Sequence, residues 1–355
     1  QPFLCGIINY LTIFVRAEWR KRIIFVPKFS SMMRKLFFCT LFCVGVLSAM
    51  AQTASEPKGK AIINVFGNFH TGFGAENDDR GFSMDRSYFG YQYTMDGGLS
   101  FKAVMDVGKS GDVDDLQRIA YIKNAQVSWK RDRLTLHGGL ISTTSFKVQE
   151  DFWGYRYMKM VLQDYYKFAS SADLGLSVAY KFADWVSGDA IVVNGNGYKN
   201  LQINDGLLYG VGFTFKPAKG LTLRMYSSMN EADNDSGKDI FVYALFAGYK
   251  HEKFSLGAEY NLMQNTKNVA NADLAGVSFY TTVKLGEKVD AFARYDNLWS
   301  NDDWNIAKDE ATYMAGVEIE PCKYVKIAPN FRYHDVKMPE AKDKYYLYIS
   351  CFFGF

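Results

Sequence analysis

The sequence predicts an all-β fold, a closed antiparallel up-and-down transmembrane β-barrel of about 16 strands with a long third loop folded inward. Three observations carry that expectation. Short runs of alternating oily and polar residues recur from Ala61 to Phe355, the period at which successive side chains of a strand face opposite ways. The connections between those runs alternate strictly between short and long. The final run, KYYLYISCFFGF, carries no charge after Lys344, so its oily face needs a bilayer or a second protein layer to cover it.

Two segments of different character precede the first strand. Residues 32–51 begin with Met32-Met33 and the basic pair Arg34-Lys35, continue through an apolar stretch from Leu36 to Leu47, and reach Ala49-Met50-Ala51. That order reads as a secretory signal peptide cut after Ala51. The apolar stretch is too short to span a bilayer, which takes about 20 residues. Residues 1–31 are expected to be an untranslated or upstream extension, leaving 52–355 as the barrel. Of 41 basic and 38 acidic residues, seven and one fall in the first 51, which leaves 34 against 37. The mature chain is thus slightly acidic, with no clustered basic face of the kind nucleic acid needs.

The strands then follow in order. INVFGNF sets Ile63, Val65, Gly67 and Phe69 on one face; YFGYQYTM sets Phe89, Tyr91, Tyr93 and Met95; LSFKAVM sets Leu99, Phe101, Ala103 and Met105. LGLSVAYKF, LYGVGFTF, FSLGAEYNL and YVKIAPNFRY repeat the pattern. In the last strand Leu347, Ile349, Phe353 and Phe355 face one way, and Tyr348, Ser350 and Gly354 the other. YIKNAQVSW departs from the rule: Lys123 falls on the oily face unless a bulge shifts the register.

Short connections are DGG at 96–98, RD at 131–132, AD at 183–184, PAKG at 217–220, HEK at 251–253, GEK at 286–288 and PCK at 321–323. Eight longer ones precede, separate and follow them, so both ends of the barrel belong to the short-turn rim, the periplasmic one in this architecture. Trp129, Tyr180, Phe182, Phe215, Tyr249 and Tyr324 crowd the strand ends beside the short turns, as an interfacial girdle would. A turn near Pro339 pairs the last two strands so that Cys351 lies beside Ile327, about five residues from Cys322. At about 3.3 Å per residue that exceeds disulfide reach.

With these features in place, FWGYRYMKMVLQDYYKFASSADLGLSVAYKF (152–182) and the terminal aromatic strand resemble outer-membrane porins of the Bacteroidota, within the superfamily of phosphate-selective porins O and P. The resemblance covers most of 61–355. It implies passive diffusion of small hydrophilic solutes or ions, anions such as phosphate among them, through a water-filled channel. It also implies that Phe353 and Phe355 form the signal read by barrel-assembly machinery. The implied partners are outer-membrane lipid, lipopolysaccharide, that machinery, the solutes and other copies in a homotrimer.

Within the polar register, the expected pore lining includes Arg86, Lys102, Arg224, Arg294, Lys326, Arg332, Glu259 and Glu318. Nine basic and eight acidic lumen candidates leave the wall nearly balanced, so composition does not choose between anions and cations. The connection 142–171 is too aromatic for an exposed loop, and Phe152, Tyr155, Met158, Leu162 and Tyr165 recur at helical spacing. It is expected to fold inward as a constriction presenting Arg156, Lys159, Tyr155 and Trp153. Arg156 would grip an anion with its planar fork and Lys159 act as a point charge, or Arg156 would instead pair with a wall carboxylate such as Asp173. No Cys or His cluster has metal-ligand spacing, no cofactor motif appears, and no GxSxG-like elbow accompanies the four His residues. A non-enzymatic protein is expected; a structural or adhesive barrel with a plugged lumen is the alternative to a channel, with a barrel enzyme a third reading.

Overall fold

The structure is a computed structural model that describes residues 58–74, 77–109, 117–200, 205–232, 234 and 236–355. The expected leader at 32–51 and the stretch 1–31 lie outside the described residues.

Sixteen strands form among the described residues. The first eight are β1 (Lys58–Phe73), β2 (Arg80–Thr94), β3 (Leu99–Lys109), β4 (Arg118–Arg131), β5 (Leu134–Ser142), β6 (Ala172–Ala183), β7 (Val186–Val193) and β8 (Leu208–Phe215). The rest are β9 (Leu221–Asn230), β10 (Ile240–Lys250), β11 (Phe254–Gln264), β12 (Leu274–Lys284), β13 (Val289–Ser300), β14 (Glu310–Cys322), β15 (Val325–Val336) and β16 (Lys344–Gly354). Each pairs antiparallel with its neighbour in sequence, and β16 returns to β1, closing the barrel. Val65 faces Phe353 across that seam, and Ile63 and Phe355 exchange backbone hydrogen bonds of 3.3 and 3.0 Å. Closure is what permits a sheet in lipid, where each unpaired backbone group costs several kcal/mol.

Alternation along each strand sorts the faces. On β10 the outward residues Tyr243, Leu245 and Tyr249 are exposed, while Val242, Ala244, Phe246 and Gly248 are buried toward the interior. Leu347, Ile349, Phe353 and Phe355 are likewise exposed on the outer surface. The seven short turns lie on one rim and the long connections on the other, as the spacing requires. Cys351 pairs in register with Ile327, and both Cys322 and Cys351 are free.

Lys123 proves to be a bulge. Val104 faces Asn124 while the next residue, Met105, faces Ile122, so Lys123 has no partner on β3 and turns inward beside Asn124. Ile122 remains outside at 61% exposure. An extra residue in one strand re-aims a side chain without breaking the rest of the ladder, and here it moves a cation from the outer face to the inside of the barrel.

The apolar core lies inside the barrel. Phe146, Phe152, Trp153, Tyr155, Tyr157, Met158 and Val161, all from the connection between β5 and β6, pack with Phe66, Tyr88, Phe246, Tyr280, Phe292 and Met314 of the wall.

Candidate pore and its internal loop

The connection leaves β5 at Ser142, turns inward, and forms two short helices, α1 (Lys147–Trp153) and α2 (Leu162–Tyr165). The helical periodicity read from Phe152 to Tyr165 is therefore not one helix. Gly154 stops α1 in the left-handed region at φ 75°, its N–H donating 2.9 Å to the Glu150 carbonyl, as a glycine C-cap does. Beyond it the oily residues stay on one side because the wall, rather than a continuous helix, aligns them.

Aromatic contacts fasten the loop across the lumen. Phe152 packs on Phe246 at 5.1 Å, Trp153 on Tyr280 at 5.1 Å, and Tyr155 on Phe292 at 5.4 Å. Tyr157 reaches the opposite wall, 5.9 Å from Phe352 and 6.5 Å from Phe66. Wall glycines make room for this. A Cβ at Gly248 would sit 2.5 Å from a ring carbon of Phe152, and one at Gly276 would sit 3.1 Å from Leu162.

Polar ties complete the docking. The Tyr157 hydroxyl donates 2.6 Å to Glu318, the Tyr166 hydroxyl 2.8 Å to Glu310, and Arg332 donates 3.0 Å to the Met158 carbonyl. Lys159 is buried, with its ammonium 2.8 Å from Asp296 and a hydrogen bond to Thr312. Burial pushes that ammonium below its ordinary value, against the pull of Asp296. Arg294 lies 2.8 Å from the same Asp296 and stacks 5.1 Å over Trp153. Arg224 grips Asp189 with both terminal nitrogens, at 2.8 and 3.1 Å, and donates to the Thr144 carbonyl at the loop's start.

Arg156 pairs within its own loop, with Glu150 and, at 2.6 Å, with Asp164; its other terminal nitrogen donates 3.3 Å to the Tyr88 hydroxyl. Burial alone would raise the Asp164 carboxyl, yet Arg156 holds it below the usual carboxylate range. Asp173, the wall partner weighed from the sequence, instead accepts backbone N–H bonds from Leu174, Gly195 and Gly197. Of the four expected constriction residues, Arg156 borders cavities on both sides of the loop. Trp153 and Tyr155 border a separate cavity of about 320 Å³ beside Lys250, Asp290 and Lys326, and Lys159 borders the one toward the long loops.

Sequence reasoning missed Tyr88. Arg86, Lys123 and Arg156 all donate to its hydroxyl, at 3.3, 3.4 and 3.3 Å. Three cations thus meet at one phenolic oxygen beside the loop, two of them, Arg86 and Arg156, also paired with carboxylates. The bulge that carries Lys123 inward was the available signal.

Position also resolves the balanced wall count. Asp106, Asp296, Glu259 and Glu318 are no more than 4% exposed. Each is engaged: Asp106 by Arg86 at 3.3 Å, Glu259 by the Tyr280 hydroxyl at 3.0 Å, and Glu318 by Lys326 at 2.8 Å. Among the described residues, the cavity toward the long loops, about 650 Å³, is bordered by seven Lys and Arg residues and two carboxylates, Asp79 and Asp85. A 270 Å³ cavity on the other side of the loop is bordered by Lys102, Lys123, Lys147 and Arg156 against Glu150. Around these two cavities the described cations outnumber the carboxylates, while Arg224 and Arg294 are buried among the acids and Asp290 and Glu318 border a third cavity with Lys250, Lys284 and Lys326.

One Ser–His contact lies on the inner wall: the Ser128 hydroxyl is 2.7 Å from His137 Nδ1, with the Gln126 amide also on Nδ1 at 3.1 Å. Among the described residues no carboxylate meets His137, so the orienting group of an acyl-transfer triad is not assembled there.

No protein-family model matches the chain, and no curated protein matches it. Solved structures do. OmpT, an outer-membrane protein of Vibrio cholerae, superposes with a TM-score of 0.61 at 14% identity, covering 86% of this chain and 99% of its own. An anion-selective porin from Comamonas acidovorans gives 0.62 at 12%, covering 84% and 100%. A trimer form of the Vibrio cholerae protein, folded in vitro, gives 0.56 at 15%, covering 85% and 100%. At such identities the likeness speaks for the fold.

Proposed function

We propose that this barrel is an outer-membrane channel for passive diffusion of small hydrophilic solutes, with a preference for anions, and that it is not an enzyme. The observation that carries the reading is the sorting of charge inside the barrel: among the described residues, Lys and Arg outnumber carboxylates around the two cavities that Arg156 borders, while Asp106, Asp296 and Glu259 are buried and paired away from them. A low-dielectric wall focuses the field of such cations into the aqueous space, raising the local concentration of anions. The named porin from Comamonas acidovorans is anion-selective, which agrees with this reading without establishing it. By the same analogy a homotrimer is the expected assembly.

The alternative, a structural barrel plugged by its loop, draws on the aromatic contacts that tie the loop to both walls. Liposome swelling separates the two. Proteoliposomes carrying the purified chain are expected to swell in an isosmotic pentose and to stay shrunken in a tetrasaccharide. No swelling in either sugar would favour the plug and remove the channel reading.

A further inference from the structure

On the short-turn side of the loop, the 270 Å³ cavity has a lining of two kinds. Ile62, Phe66, Val104 and Phe146 are its apolar part, with the last three buried. Lys102, two residues before Val104 on the same face of β3, and Lys123 are its cations. Among the described residues Lys102 has no hydrogen-bond or ion-pair partner and faces two like charges, Lys123 and Lys147. Among the described residues Lys123 has no ion-pair partner: it hydrogen-bonds the Ser171 hydroxyl at 2.7 Å and the Tyr88 hydroxyl at 3.4 Å, and lies 4.9 and 5.1 Å over the rings of Tyr88 and Tyr198. The neighbouring cations are compensated: Arg156 by Glu150 and Asp164, Lys147 by Asp151.

We propose that this cavity is a binding site for a monoanion with a compact apolar body, an aromatic carboxylate being the best fit. The inference rests on the channel reading and names the class of solute that would dwell in it. Two observations select the class. The uncompensated charges are ammonium groups, which hold a carboxylate as point charges; the planar fork of Arg156, suited to bidentate oxyanion recognition, is already engaged. The apolar side chains beside them give a fully hydrated inorganic anion nothing, whereas a ring gains by leaving water. Size agrees. A dry cavity of about 150 Å³ accommodates benzene, so 270 Å³ holds a ring, its carboxylate and a little water. The carboxylate would lie between Lys102 and Lys123, the ring against Ile62, Val104 and Phe146, and Arg156 at the rim would pass the anion in from the cavity above.

The test uses the full chain in detergent micelles, with titration calorimetry of benzoate, inorganic phosphate and benzyl alcohol. Saturable benzoate binding is expected, at least about tenfold tighter than either comparison ligand, or about 1.4 kcal/mol. Lys102→Gln is expected to weaken benzoate at least about tenfold, while Lys219→Gln, on a distant short turn, leaves it unchanged. Ile62→Thr, which keeps every charge, is expected to weaken benzoate and not phosphate; it also serves if Lys102→Gln does not fold. Phosphate binding as tight as benzoate, or benzoate binding indifferent to both Lys102→Gln and Ile62→Thr, would overturn the proposal. Failure here with anion-selective conductance intact sinks the site and spares the channel; benzoate binding without conductance does the reverse.

Discussion

Excising residues 147–166 is expected to raise single-channel conductance several-fold in planar bilayers. Those residues carry α1, α2 and the aromatic groups that reach from Phe246 on one wall to Phe352 on the other. Without them the inner wall has a bare patch of Phe246, Tyr280 and Phe292, but the strand ladder is untouched, since none of the excised residues belongs to a strand. Barrel closure rests on that ladder, so the variant should still show the folded, heat-modifiable band on gels. Unchanged conductance from a folded variant would mean that the loop does not limit the pore.

Asp296→Ala is expected to cost about 3–5 kcal/mol of stability, the range for leaving a buried charge without its partner. Asp296 is fully buried, 2.8 Å from both Arg294 and Lys159 and 2.5 Å from the Ser278 hydroxyl. Its loss leaves two cations facing each other under the loop, neither more than 7% exposed. Urea unfolding in detergent, followed by tryptophan emission, measures this, because Trp153 stacks on Arg294 and reports directly on the site. A loss under about 1 kcal/mol would show that water reaches the pair and screens it.

Much of the barrel could be read from the chain because two signals, alternation within strands and alternation between turn lengths, follow from the two unlike faces and two unlike rims of a closed up-and-down sheet. The pairing of Cys351 with Ile327 followed from turn position alone. Lys123 looked like an error until the bulge explained it. The loop was legible as aromatic and inward-folding, yet its helical period ran across Gly154, where local backbone conformation ends α1. What receives the loop was not legible: Gly248 and Gly276 gain their meaning from Phe152 and Leu162, which are distant in sequence. Charge was the deepest gap. Nine bases against eight acids say nothing until burial shows Asp106, Asp296 and Glu259 removed from the cavities.

The sorting of charge is the central claim, and the zero-current potential of wild-type protein in a planar bilayer under a tenfold KCl gradient tests it most directly. Potassium and chloride have nearly equal mobility, so the sign of that potential reports the pore's own preference. The account predicts the sign of a chloride-favouring pore and a smaller magnitude for Lys167→Glu, which reverses one exposed charge in the 650 Å³ cavity. A potential of the opposite sign, with the protein folded and conducting, would contradict it.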